Sequence, residues 1–193
     1  GDDAMIFGDT TVFNNAMVFG YASVWDNAKV YGDAMIFGEA SVYGNTTIYG
    51  DAKIHGNAII SGNASVCDNT DVCDNVKVRD DANVCGDASI YGDATIYDNA
   101  IISGNAIISG NTNVGNNASV CNKADYVCVQ GLGSAFRSTT FFKCKNGDIG
   151  VVCGCFNGNL EEFAKKVRNT HGDNKYAKEY LAMIEVVKIH FEK

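Results

Sequence analysis

The residues of this chain that could do acid–base chemistry are few. Its three histidines are His55, His171 and His190, and His55 alone lies in the long regular part of the sequence. A histidine can serve as a general base near neutral pH when a reacting group comes within hydrogen-bond distance. We predict no catalytic residue beyond this one candidate, His55, because a lone outward histidine is more often an ordinary surface residue.

The eight cysteines could bind zinc or form disulfides. No two of them have the Cys-x-x-Cys spacing, which favours free thiols in a reducing compartment. Cys153 and Cys155 are close in sequence, but Cys144 is expected about 13 Å along a predicted hairpin from the partner of Cys153, too far for a shared tetrahedral site. The sequence therefore predicts no metal, no cofactor and a cytoplasmic location.

His55 and four of the eight cysteines lie in a six-residue repeat that runs from residue 4 to residue 126 without insertion or deletion. The first place of each unit is Ile or Val twenty times in a row, from Ile6 to Val120, and Tyr126 closes the series. The fifth place is small almost throughout, with Val76 as its only bulky residue. A period of six fits neither an α-helix nor a long flat strand, but it fits a short strand followed by a corner. Twenty-one units predict about seven triangular coils of 18 residues.

In such a coil the first and fifth places face inward, and the second and sixth places face solvent. Positions 18 apart then form three outward columns: Phe7, Trp25, Tyr43, Ser61, Arg79, Tyr97 and Gly115; Phe13, Tyr31, Tyr49, Cys67, Cys85, Ser103 and Cys121; Phe19, Phe37, His55, Cys73, Tyr91, Ser109 and Val127. The aromatic residues gather in the first three coils. They could stack as ladders along each face, be buried in a homo-oligomer, or bind a carbohydrate.

The repeat, read from Ile36 as I-F-G-E-A-S, V-Y-G-N-T-T, I-Y-G-D-A-K, resembles the hexapeptide-repeat, left-handed β-helix superfamily. Its best known members are trimeric bacterial acyltransferases. Gly sits one place later here than in the commonest motif, so the resemblance is closer to G-N-A-x-V-x variants. It implies a left-handed triangular parallel β-helix and a homo-oligomer, with a trimer as the implied size. A bactofilin-like right-handed solenoid is the structural alternative.

Charge is spread unevenly along the chain. Up to Asp125 there are 16 acidic and 5 basic residues, a net charge of −11, whereas the remainder carries +3. Nucleic-acid binding needs clustered Lys and Arg, so we predict no direct nucleic-acid contact. No run of about 18 apolar residues is present, and no basic, apolar signal segment follows Gly1, so we also predict no membrane span.

Three function hypotheses follow from these features. The leading one is a non-enzymatic structural or binding scaffold that self-associates through the exposed aromatic residues of the N-terminal coils, with a protein or carbohydrate as a further partner. The predicted interface residues are Phe7, Phe13, Phe19, Trp25, Tyr31, Phe37, Tyr43 and Tyr49. The second, implied by the resemblance, is an acyltransferase that uses acyl-coenzyme A at a subunit interface near His55. The absence of an interrupting loop within the repeat favours the first. The third is an acidic mimic of nucleic acid that inhibits a basic protein.

After Tyr126 the period breaks and the pattern becomes α+β. We predict a solenoid domain over residues 1–126 and a small capping domain of two strands and two helices over residues 127–193. Its string C-G-C-F-N-G-N-L-E-E-F resembles an uncharacterised tail found on solenoids of gut bacteria and their phages, for which no activity is known.

The predicted hairpin of this domain turns at Asn146-Gly147 with a two-residue loop. That register pairs Thr140 with Cys153 and places Cys144, Cys153 and Cys155 on one apolar face. Asn159, with Glu162 three residues later, is expected to begin the first helix through a capping box.

Overall fold

The repeat folds into a parallel β-solenoid, as predicted. The computed structural model describes residues 3–192, so Gly1, Asp2 and Lys193 of the predicted domains lie outside the described residues. The solenoid strands have two residues each: β1 Met5–Ile6, β2 Thr11–Val12, β3 Met17–Val18, β4 Ser23–Val24, β5 Lys29–Val30, β6 Met35–Ile36, β7 Ser41–Val42, β8 Thr47–Ile48, β9 Lys53–Ile54, β10 Ile59–Ile60, β11 Ser65–Val66, β12 Asp71–Val72, β13 Lys77–Val78, β14 Asn83–Val84, β15 Ser89–Ile90, β16 Thr95–Ile96, β17 Ile101–Ile102, β18 Ile107–Ile108, β19 Asn113–Val114 and β20 Ser119–Val120.

The solenoid has three faces, each a parallel sheet. Two sheets have seven strands and the third has six. Each strand pairs with the strand 18 residues away, as Val24 does with Ile6 and Val42. The twenty strands make six complete turns and two further sides, slightly fewer than the seven coils predicted. The difference arises because the chain leaves the solenoid at Tyr126, so the third outward column ends at Ser109 and does not include Val127.

The interior is built from the first and fifth places of the repeat, as predicted. From Ala22 to Val120, the Ile, Val and Ala residues at these places are fully buried or 1% exposed. Stacking β-branched side chains in register fills the interior without gaps, which is where most of the hydrophobic stabilisation of the solenoid comes from. The first turn differs, because Ile6 is 49% exposed.

The corners depend on a residue in the left-handed backbone region. At Gly44 the φ angle is 82°, and a Cβ there would lie 2.7 Å from the carbonyl oxygen of Gly62. Aspartate takes the same place at Asp68, with φ 61°. Gly and Asp tolerate this conformation better than most residues, which explains why the third place of the repeat is restricted.

Asparagine side chains at the fourth place form hydrogen-bonded ladders along the outside. On one face the amide of Asn27 donates to Asn45, Asn45 donates to Asn63, and Asn63 donates to Asp81, with distances of 3.0–3.2 Å. The two other faces carry shorter ladders that end at Asp87 and Asp93. Each of these three ladders thus ends at a carboxylate within the same turn.

The chain continues into a C-terminal α+β unit, residues 126–192. It contains a four-stranded antiparallel sheet in the order β21 Tyr126–Val129, β22 Thr139–Lys143, β23 Ile149–Cys153 and β24 Phe156–Asn159, followed by helices α1 Leu160–His171 and α2 Lys175–Phe191. A 3-10 helix, Lys123–Asp125, links the solenoid to this unit. The strand β24 was not predicted. Within residues 3–192, neither helix combines the length and apolarity needed to cross a membrane.

The helix start was predicted correctly and the hairpin register was not. Asn159 accepts a hydrogen bond from the Glu162 N–H, and the Glu162 carboxylate accepts one from the Asn159 N–H. In the hairpin, Cys153 pairs with Thr139 instead of Thr140. The loop has three residues, because the backbone N–H of Cys144 donates to the carbonyl of Asp148. Gly147, within this loop, has a φ of 87°.

This shift by one residue changes which face each side chain occupies. Cys144 lies with Phe142 against the solenoid core, whereas Cys153 lies with Phe141 on the helix side. The prediction that Cys144, Cys153 and Cys155 share one apolar face is therefore wrong. The sheet is apolar on both faces because one packs on the solenoid and the other on the helices.

An ion pair holds the linking segment against this sheet. Asp125 is 5% exposed, and its carboxylate accepts hydrogen bonds from Lys143 Nζ at 2.6 Å and from the N–H groups of Cys121 and Asn122. Burial alone would raise the pKa of Asp125, but these donors outweigh it and leave the pKa below its usual value. The carboxylate is therefore charged at neutral pH.

Candidate functional site

The eight predicted interface aromatics form three separate ladders instead of one patch. Phe7, Trp25 and Tyr43 stack on the first face, with centroid distances of 5.7 and 4.6 Å and nearly parallel rings. Phe13, Tyr31 and Tyr49 stack on the second face, and Phe19 and Phe37 stack on the third. Each ring covers a face of the next, so only Phe7 and Phe13 of the eight remain strongly exposed, at 53% and 44%. The ladder interpretation thus describes most of this set.

Apolar exposure is concentrated at the first turn. Of the eleven large hydrophobic residues that are exposed in the described chain, six precede residue 22: Met5, Ile6, Phe7, Phe13, Met17 and Tyr21. Ile6 is an inward residue of the repeat, and its counterpart one turn later, Val24, is fully buried. The first described turn therefore exposes an apolar side chain whose counterpart in the next turn is buried.

His55 continues the third ladder and lies in a cluster of groups that can bind a metal. Its ring stacks on Phe37 with a centroid distance of 4.7 Å and an interplanar angle of 5°. Its Nε2 lies 2.9 Å from Asp71 Oδ1, and Cys73 lies one turn further along the same column. One ligand atom from each of His55, Asp71 and Cys73 lies within 4.8 Å of the others.

The sequence placed His55 and Cys73 in one column but missed Asp71. Asp71 occupies the sixth place of the unit directly before that of Cys73. It pairs with Lys53 on the previous turn, so its carboxylate reaches His55 diagonally across the face. A signal was available, since Asp71 is the only acidic residue at any sixth place of the solenoid strands. Burial, with the nearby carboxylates of Asp74 and Asp71, raises the pKa of the Cys73 thiol to about 11. The free thiol is therefore protonated at neutral pH and is not an activated nucleophile.

Cys67, which was predicted at an outward place, is buried. It lies directly after Tyr49 in the second column and is 4% exposed. The pKa of Tyr49 is raised to about 12. The largest cause is its hydrogen bond with Cys67, and smaller contributions come from the charge of Cys67 and from burial of the tyrosine. The neighbouring tyrosine therefore shields this thiol from solvent.

A cleft that was not predicted lies between the first face and the C-terminal α+β unit. It has a volume of about 950 Å³ and is lined by Arg79, Tyr97, Phe136 and Arg137, among others. The Arg79 guanidinium lies 4.8 Å from the centroid of the Tyr97 ring. Phe136 is 69% exposed and has a φ of 50°, an uncommon conformation for an aromatic residue.

The corner aspartates have structural partners. Asp26, Asp68 and Asp74 each accept a hydrogen bond from the backbone N–H of the glycine 18 residues later, at 2.9–3.1 Å. The corner carboxylates therefore join one turn to the next, in addition to contributing charge to the surface.

Among known families, the model of the YdcK β-solenoid repeat matches residues 88–103, somewhat less than one turn. No curated protein matches the chain. The family match agrees with the observed β-solenoid, a fold whose repeated turns suit a structural scaffold.

Proposed function

We propose that this chain is a non-enzymatic scaffold that self-associates through its N-terminal turns. The observation that carries the proposal is the concentration of exposed apolar side chains in the first described turn, which holds six of the eleven in the described chain. Soluble monomers rarely leave large contiguous apolar patches in water. A second copy offers the same Ile and Val side chains and the same outward aromatics, so its first turn is chemically complementary.

The opposite end of the solenoid favours a closed oligomer. Phe142 and Val152 of the C-terminal α+β unit belong to the same buried cluster as the solenoid core. This unit covers the C-terminal end of the solenoid core. Copies that meet through one end can form a closed assembly, whereas stacking of both ends would give open filaments.

Three finer features belong to this proposal. The left-handed coil and the trimer as the oligomer size come from the resemblance of the repeat to hexapeptide proteins. The reducing compartment, such as the cytoplasm, is supported by the eight cysteines, all of which are free thiols.

Light scattering on the purified chain tests self-association. We expect an oligomer for the parent and a smaller species for a Phe7→Ser, Phe13→Ser variant. A Val186→Ser, Ile189→Ser variant is the matched control, because these residues are 63% and 69% exposed on α2. The control should keep the parent mass, and circular dichroism should show all three proteins folded. A monomeric parent would refute self-association and leave the first-turn aromatics as a surface for a protein or carbohydrate partner.

Acyl transfer from acyl-coenzyme A is the second candidate, favoured by the contact between His55 and Asp71. A carboxylate that accepts from Nε2–H fixes the imidazole and leaves Nδ1 to accept a proton. Release of free coenzyme A in the presence of acceptor alcohols or amines, lost in a His55→Tyr variant, would support this candidate. Equal release by both proteins would exclude His55 as the base.

A further inference from the structure

We propose that His55, Asp71 and Cys73 form a binding site for a divalent transition-metal ion of the zinc class. The three side chains come from two neighbouring turns of one face, and their ligand atoms lie within 4.8 Å of one another. This site does not depend on self-association, because all three residues belong to one chain.

The ligand types favour zinc over magnesium or calcium. Imidazole nitrogen, thiolate sulfur and carboxylate oxygen together are typical of zinc, whereas magnesium and calcium prefer oxygen ligands alone. A neutral imidazole with one carboxylate and one thiolate balances the charge of a divalent ion. Binding releases the proton of the Cys73 thiol, and the proton of His55 moves from Nε2 to Nδ1 so that Nε2 can coordinate.

The distances require only small side-chain adjustments. Bonds of about 2.0–2.3 Å to a tetrahedral ion place its ligand atoms about 3.3–3.8 Å from one another. His55 Nε2 and Asp71 Oδ1 are 2.9 Å apart, so they must separate slightly, and Cys73 Sγ lies within 4.8 Å of a ligand atom of both.

The solenoid holds the three residues in place before an ion arrives. Asp71 and Cys73 flank the fully buried Val72, so both point outward from the same face. His55 comes from the previous turn, and stacking on Phe37 fixes its ring. Side-chain exposures of 29% for His55 and 48% for Asp71 give an ion access from solvent. Three protein ligands leave a fourth position for water or another small ligand.

Cobalt titration of the reduced, metal-free whole chain tests the site. Co²⁺ takes the place of zinc and reports a thiolate ligand through a near-ultraviolet charge-transfer band. We expect one Co²⁺ per chain, displaced by Zn²⁺. Each single-ligand variant should weaken binding by at least about 100-fold. Loss of a residue that only supports a ligand typically weakens metal binding by about 10–100-fold, so a larger effect indicates a direct ligand.

The repeat itself supplies variants that keep the fold. Tyr91 and Ser109 occupy the column of His55 and Cys73, so His55→Tyr and Cys73→Ser place residues already found there. Ser89 follows Asp71 in its own column, which makes Asp71→Ser the matching change. Cys85→Ser is the control, since it alters the second place of the repeat on another face.

The outcomes separate clearly. Loss of the band in the three ligand variants, with the control unchanged, supports the site. A band that survives Cys73→Ser, or that is lost in Cys85→Ser, refutes it, as does the absence of Co²⁺ and Zn²⁺ binding to the parent. Acyl transfer and self-association can each fail without changing this result.

Discussion

Replacing the buried Thr46 by valine should stabilise the protein. Thr46 and Thr70 occupy inward fifth places, are 0–1% exposed, and have hydroxyl groups without a hydrogen-bond partner within the described residues. Thr112 also occupies a buried fifth place, but its hydroxyl donates to the Ser109 carbonyl at 2.6 Å. The three positions therefore differ in whether the threonine hydroxyl has a hydrogen-bond partner.

The expected size follows from that difference. A buried hydroxyl without a partner costs about 1–3 kcal/mol, and valine keeps the shape and the β-branched rotamer, so Thr46→Val should raise the free energy of unfolding by about 1–2 kcal/mol. Thr112→Val removes a hydrogen bond and leaves a carbonyl unpaired, which should lower the free energy of unfolding by about 1 kcal/mol. Val76 shows that the fifth place accommodates valine, because it is fully buried there.

Equilibrium unfolding in urea, followed by circular dichroism, measures both changes through the midpoint at constant slope. Thr46→Val and Thr70→Val should move the midpoint up, and Thr112→Val should move it down. If Thr46→Val destabilises the chain as much as Thr112→Val, the buried hydroxyl has a partner and the reasoning is wrong.

Two further predictions concern titratable groups. The pKa of Asp125 is lowered in the folded state, so its stabilisation is present above its unfolded value of about 3.9 and is lost as the pH falls through the folded value. Asp125→Asn should cost roughly 1.5–3 kcal/mol near neutral pH and make unfolding less sensitive to acid below about pH 4; an unchanged acid profile would contradict the role of Lys143. Cys155 is exposed and Cys67 is 4% exposed with a pKa raised by burial, so a short iodoacetamide pulse read by mass spectrometry should label Cys155 well before Cys67. Equal labelling would show that Tyr49 does not cover the thiol.

The solenoid was predictable because one short period specifies every contact in it. A residue at the first place, such as Val42, meets the same kind of residue above and below, so inside and outside follow from position alone. The hairpin lacks this redundancy. Its register depends on whether the loop around Gly147 has two or three residues, and the Asn-Gly sequence is compatible with either.

The candidate sites were harder to predict because they depend on contacts between columns. Asp71 reaches His55 diagonally, and the cleft beside Arg79 exists only because the C-terminal α+β unit lies against the solenoid. A prediction that reads each column by itself does not show that residues of different columns, such as His55 and Asp71, are in contact. The shielding of Cys67 arises instead within one column, from its neighbour Tyr49.

The asparagine ladders give the solenoid a direction and a unit of length. Every amide in the ladder from Asn27 to Asp81 donates toward the C-terminal end, so the amide dipoles add and their positive ends face the carboxylate. Since a carboxylate cannot donate, the ladder stops there. An extra 18-residue turn with asparagine at the fourth place, inserted before Asp81, would extend the ladder and lengthen the rod by about 4.8 Å without disturbing the carboxylates or the C-terminal unit. The rod can thus change its length in whole turns on the N-terminal side of Asp81 while the part that follows stays the same.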